Sequence, residues 1–180
     1  MAGIKSPIVT LTPSPTLDRT YFVKNLVEGG VNRAERVGEE LAGKGINVSR
    51  GLQLANIAAP GVVPIGNADP GVLERTGSGF LSPLWIEGTL RVSTTIVEYD
   101  GPTTKINESP RPLKQSDWDA VEALTEKTVV ENDAQWLVVA QRAQQFETVH
   151  AGHLQVGDQH IGLDACNVDQ GLQPGRHDGA

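Results

Sequence analysis

Two short apolar runs do most to limit what this chain can fold into. Pro7 to Pro13, "PIVTLTP", is β-branched and bounded by prolines. Ala134 to Ala140, "AQWLVVA", has the continuous apolar character of a buried parallel strand. Parallel neighbours need long crossovers, and the intervening sequence supplies segments with helical spacing. One begins near Lys44, with apolar residues at Ile46, Val48, Leu52, Leu54 and Ile57. "GVLERTG" predicts a short helix closed by Gly77, and "LKQSDWDAVEALTEKTVVEN" a helix starting at Ser116. "APGVVPIGNADPG" predicts a strand followed by a loop. Alternation of this kind implies an α/β fold.

Further β-signal does not belong to that alternation. "LRVSTTIVEYDGPTTKINE" predicts two strands joined at "DGP". "RTYFV" and "NRAERVGEEL" also read as extended, with "VEGG" as the turn between them. A small second sheet attached to the α/β body follows. The 180 residues suffice for one buried core without disulfides. The single Cys166 allows no internal disulfide and fits a reducing compartment. No apolar run approaches the roughly 20 residues of a membrane span, and the N-terminal stretch lacks a secretory h-region. A net charge of −7 with no basic run argues against nucleic acid. The expectation is a cytoplasmic protein with neither a membrane nor a nucleic-acid partner.

The composition shifts after Ala140. All four histidines (His150, His153, His160, His177), Cys166 and no lysine lie beyond it. Residues 1–140 are therefore taken as the domain and 141–180 as an atypical tail, frameshifted or disordered. A metal-binding reading of the tail rests on His150, His153, His160 and Cys166, but zinc ligands usually come in close pairs, and His150–His153 is the only close pair here. No metal ligand is assigned. The sequons at Asn47 and Asn107 are incidental in a cytoplasmic chain.

Chemistry concentrates at "AGKGIN", Ala42 to Asn47. Glycines let backbone approach a ligand, and a helix N-terminus presents N–H groups and a positive dipole end to an anion. Lys44 adds a point charge and Asn47 sits one turn in. The spacing is not that of a Walker A loop. Asp18, expected just past the end of the first strand, lies where open α/β sheets place ligands, and a carboxylate there can accept two sugar hydroxyls.

Four segments, "TLTPSPTLDRTYFV", "GGVNRAERVGEELAGKGINVSRGL", "GTLRVSTTIVEYDG" and "TTKINE", stand in the order found in PfkB-type sugar kinases of the ribokinase-like superfamily. Over Ile8 to Ala140 the chain resembles the 1-phosphofructokinase branch, with tagatose 6-phosphate kinases as near relatives. The resemblance implies a ribokinase-like three-layer α/β sandwich, truncated, with a small β-sheet lid over the sugar. It implies phosphoryl transfer from ATP with Mg2+ to a sugar phosphate, fructose 1-phosphate or tagatose 6-phosphate, and a homodimer through the lid. It assigns sugar hydroxyls to Asp18, the sugar and its surroundings to Gly43, Lys44 and Asn47, the substrate phosphate to Arg91, and the substrate side of a strand end to Asn107 and Glu108. Ala42 and Ser93 depart from the family's usual glycine and asparagine. After "WLVVA" the family's Gly-Ser-Leu-Pro-Pro loop is replaced by "QRAQQ". The Gly-Ala-Gly-Asp motif carrying the catalytic base, and the Asn-x-x-Glu segment that organises magnesium, do not occur. No catalytic base is assigned, the ATP half is expected to be missing, and the chain alone is expected to be inactive. The alternative readings are a remnant that binds a sugar phosphate or self-associates through the lid, and a metal-binding protein.

Overall fold

A computed structural model describes residues 6–139 in full, together with the backbone of two short strands at 154–156 and 159–161. The tail histidines and Cys166, as side chains, lie outside the described residues.

The body is a parallel sheet in the order β5-β4-β1-β8, formed by β1 (Ile8–Leu11), β4 (Gly61–Gly66), β5 (Leu81–Ile86) and β8 (Trp136–Val139). Period-two alternation decides which helix each residue meets. Val9 and Leu11 of β1, Val62 of β4 and Leu137 of β8 pack with Val121 and Val129 of α3 (Gln115–Asn132). On the opposite face, Val63 and Ile65 of β4 pack with Ile46 of α1 (Lys44–Leu54) and Val72 of α2 (Val72–Arg75). Helices on both faces give three layers. Each fully buried Val or Ile here contributes about 1.5–3 kcal/mol relative to exposure. Thr10 and Thr12 also face α1. Thr10 shares a buried 2.8 Å hydrogen bond with Ser49, and Thr12 Oγ1 accepts the amide of Ile46 at 2.9 Å.

The lid is a second sheet in the order β3-β2-β6-β7, from β2 (Thr16–Val23), β3 (Arg36–Ala42), β6 (Val92–Glu98) and β7 (Thr103–Asn107). The pairs β2–β3 and β6–β7 are antiparallel, and β2 runs parallel to β6. Within the tail, β9 (Leu154–Val156) and β10 (Gln159–Ile161) pair antiparallel.

Four details differ from the sequence reading. "NRAERVGEEL" is strand only from Arg36, because Asn32 folds back onto the turn, accepting from the Val27 amide at 2.7 Å and donating to the Val27 carbonyl at 2.9 Å. β5 went unpredicted; Pro83 in its centre argues against a strand, but an edge position tolerates the missing donor. α3 begins at Gln115 after Lys114, one residue ahead of Ser116, with no side-chain cap. β8 is parallel and, among the described residues, an edge strand, as a sheet halting after "WLVVA" leads one to expect, but it is not buried throughout: Trp136 is 57% exposed.

Candidate sugar-phosphate site at the lid base

The structure corrects the placement of Asp18. It is the third residue of β2, inside the lid sheet rather than just past β1. Cross-strand partners on a sheet share a face. Asp18 stands opposite Glu40 of β3 on one side and Ser93 of β6 on the other, and Ser93 stands opposite Asn107 of β7. Thr20, Thr95 and Lys105 continue the same row. This polar face holds two of the expected residues, Asp18 and Asn107.

The Asp18 carboxylate is under tension. Its Oδ1 is buried and accepts no hydrogen bond. Burial pushes the carboxyl above its ordinary range, and Glu40 directly opposite pushes it further. Arg91, Lys105 and a hydrogen bond from Thr16 pull the other way without cancelling the rise. A buried acceptor of this kind fits a ligand that brings hydroxyl donors.

The glycine loop adjoins this row because Thr16 and Ala42 are register partners two residues from Asp18. Gly43 precedes α1 at φ 155°, and an added Cβ would collide with Thr12 Cγ2. At Gly45 a Cβ would lie 2.5 Å from Thr12 Oγ1 and 2.8 Å from the Leu11 carbonyl oxygen. The loop therefore packs on the end of β1 in a way only glycine allows. Lys44 opens α1 and is exposed. Asn47, also exposed, donates its amide to the Gly43 carbonyl at 2.8 Å, and its Oδ1 accepts from Arg50 at 3.1 Å.

Arg91 is positioned but not free. Its Nε donates to the Pro15 carbonyl and its Nη2 to the Ser14 carbonyl, both at 3.3 Å. Its own carbonyl accepts the Leu17 amide at 2.9 Å, fixing the residue to the start of β2. It lines a groove of about 410 Å³ at the carboxyl ends of β4 and β5, which also holds Arg111 and Lys114. Such crevices are where open α/β sheets take ligands. Glu108 has a local structural role: its Oε2 accepts the Val92 amide at 3.0 Å, while its amide donates to the Val92 carbonyl at 3.1 Å. Ser93 donates to Asn107 Oδ1 at 2.5 Å, so this departure from the family pattern keeps a polar contact within the row.

Sequence reasoning passed over Lys105, Glu40, Thr12 and Arg50. Lys105 was accessible in principle, since it lies two residues before Asn107 in a strand and must share its face. The others depend on strand register or long-range packing. Among the described residues no three His, Cys, Asp or Glu side chains converge on a metal-sized site. No metal or ATP contact is assigned to these residues.

No family model matches the chain. A curated 1-phosphofructokinase of Xanthomonas campestris is 41% identical over 68 residues, covering 37% of this chain and 21% of the relative. The 1-phosphofructokinase of Vibrio cholerae is 28% identical over 132 residues, covering 70% of this chain and 41% of the relative. Among solved structures, phosphofructokinase-2 of Escherichia coli in complex with fructose-6-phosphate superposes with a TM-score of 0.61 at 23% identity, over 74% of this chain and 45% of that one. Ribokinase of Thermotoga maritima reaches 0.55 at 16% identity, again over 74% and 45%. The chain is similar to PfkB-type sugar kinases over this stretch, and its fold is that of the ribokinase-like kinases. It spans less than half the length of these relatives, over the N-terminal part of its structural neighbours. The PfkB-type likeness accounts for the two-sheet architecture, with the lid strands β2, β3, β6 and β7 inserted between elements of the parallel body. Among the described residues no helix is long and apolar enough to cross a membrane.

Proposed function

We propose that the described residues form the sugar-phosphate-binding part of a 1-phosphofructokinase-type active site, with fructose 1-phosphate as the substrate. The observation that carries this reading is Asp18 Oδ1, a buried carboxylate oxygen with no hydrogen-bond partner, facing a polar row beside the glycine loop. Curated relatives named 1-phosphofructokinase support the choice of sugar phosphate.

In this reading Asp18 accepts two sugar hydroxyls, which supply the donors its Oδ1 lacks. Asn47 donates from Nδ2, and Lys44 places a positive charge at the start of α1, where the helix dipole also favours an anion. Arg91 presents its guanidinium to the substrate phosphate; a planar fork suits phosphate better than a lysine would. Arg111 and Lys114 add cationic charge along the same groove. The lid lowers the local dielectric and excludes water from the reacting hydroxyl. ATP with magnesium supplies the phosphoryl group when bound, and no step through it is assigned to the described residues.

Isothermal titration of fructose 1-phosphate into the 180-residue chain tests the proposal, with fructose and inorganic phosphate as controls. Saturable heat with fructose 1-phosphate, lost in Asp18→Ala, is expected. Absence of binding by the folded wild type refutes it, and stronger binding of tagatose 6-phosphate moves the substrate assignment. A coupled ADP assay run in parallel is expected to show no turnover.

A second property concerns the opposite lid face. There Tyr21, Val37, Ile96 and Ile106 share one side, with Val37 51% and Ile106 60% exposed. We propose that two copies pair through these apolar side chains, on a face that also carries the Arg19–Glu39 ion pair. Sedimentation velocity is expected to show a dimer that Ile106→Lys dissociates.

A further inference from the structure

Arg50, in the second turn of α1, joins the glycine loop to the acidic row of the lid. Its Nη1 lies 2.7 Å from Glu40 Oε1 and donates to Asn47 Oδ1 at 3.1 Å. Its Nη2 donates to the Leu41 carbonyl at 2.8 Å. Glu40 and Leu41 precede the loop and Asn47 follows it, so a single guanidinium closes a ring around residues 42–46. A lysine, with one compact charge, cannot span three partners in this geometry.

Two consequences bear on the site. Guanidinium nitrogens only donate, so the Asn47 atom facing Arg50 must be its oxygen. The Nδ2 donors of Asn47 are thereby left for other partners. The second consequence is electrostatic. Glu40 is the register partner of Asp18, and like charges directly opposite one another on a sheet repel. Arg50 offsets the Glu40 charge at the point where it acts on Asp18. The remaining charged groups that act on Asp18 are Arg91, from the segment before β6, and Lys105 of β7.

We infer that Arg50 is a positioning residue for the sugar site, presenting Asn47 as a hydrogen-bond donor and neutralising Glu40 beside Asp18. The ligand in this inference rests on the sugar-phosphate reading; the two effects on Asn47 and Asp18 belong to the free chain.

Arg50→Ala and Arg50→Lys test it by NMR without ligand. The Asn47 side-chain amide resonances and the titration midpoint of the Asp18 carboxyl carbon are the readouts. In Arg50→Ala the midpoint is expected to rise and the Asn47 amide signals to shift. Arg50→Lys is expected to restore most of the midpoint but not the Asn47 signals, which separates charge from geometry. Adding Glu40→Gln to Arg50→Ala is expected to bring the midpoint back down. With fructose 1-phosphate, affinity is expected to fall about tenfold or more in Arg50→Ala, as for a lost hydrogen bond involving a charged group. An unchanged midpoint and unchanged Asn47 signals in a folded variant would overturn the inference. Should Arg50→Ala fail to fold, Arg50→Lys decides through the same Asn47 signals. If the wild type binds no sugar phosphate, the functional reading falls, while the ligand-free spectra still decide the role of Arg50.

Discussion

Replacing Asp18 with asparagine removes a charge at nearly constant shape, and its expected effects on stability and on binding have opposite signs. The wild-type carboxyl titrates above its ordinary range because it is buried and faces Glu40. The fold therefore binds this proton more tightly than the unfolded chain does. The stability this contributes is fully present below the ordinary carboxylate value and is lost as pH rises through the raised one. At neutral pH the ionised group is a liability. Asparagine keeps an unpaired polar atom at that position but sheds the charge, whose burial costs more than that of a neutral amide, and it removes a like-charge cross-strand pair costing up to about 1 kcal/mol. Losing the attraction of Arg91 and Lys105 offsets part of the relief. A net gain of about 1 kcal/mol remains for Asp18→Asn, or roughly 2–4 °C in Tm for a chain of this size. Thermal unfolding at pH 7 and at successively lower pH measures it. The gain should shrink toward zero in acid, where the wild-type group is itself protonated. Calorimetry on the same variant should show fructose 1-phosphate binding lost. An asparagine variant no more stable than wild type at pH 7 would refute the account of Asp18 as a strained, function-bearing carboxylate.

Three further outcomes follow from packing and charge. Gly45→Ala is expected to destabilise by about 2 kcal/mol, since its Cβ meets Thr12 and the Leu11 carbonyl, whereas Gly51→Ala, with open space around it, should stabilise by about 0.5–1 kcal/mol; urea unfolding of the two variants reads the sign. Thr12→Val leaves the buried Ile46 amide without its acceptor and should lower stability by about 1–3 kcal/mol, with amide exchange at Ile46 as the local readout. Arg75 bridges body and lid, pairing with Asp69 at 2.5 Å and with Glu39 at 2.7 Å, and its guanidinium holds both carboxyls below their usual range. These pairs contribute above the ordinary carboxylate values and are lost as pH falls through the lowered ones. Arg75→Ala should therefore flatten the decline of the urea midpoint on acidification from neutrality to about pH 4.

Much of this architecture was legible because local periodicity and burial agree. The β1 run, the helix opening at Lys44, and the "STTIVEYDGPTTKIN" hairpin each carry a pattern that tertiary packing leaves intact. Where the two disagree, the sequence misleads. Pro83 disguises β5, whose edge position makes the proline harmless. Pro64 sits in β4 between two neighbours, but β1 pairs with β4 only as far as Val62, so no β1 partner is deprived. The type and neighbourhood of Asp18 suggest a ligand residue, but its place in the fold is not legible, because Thr16 to Val23 contains no break between loop and lid.

The site divides along the same line. Residues that act through their own segment, such as the glycines on β1 and Asn47 one turn into α1, can be found from the "AGKGIN" spacing alone. Residues that act through register cannot. Glu40 matters because it stands opposite Asp18, and Arg50 because it reaches back across the loop to Glu40. Neither pairing is written in the distance between the residues along the chain. A shift of one residue between β2 and β3 would turn Glu40 to the other face and place Glu39 or Leu41 opposite Asp18. The electrostatics of the candidate site thus depend on the pairing that also buries Leu17 and Leu41 at the lid base. Apolar burial there, on the face opposite Asp18, fixes the register that holds two carboxylates side by side, and Arg50 makes that arrangement tolerable.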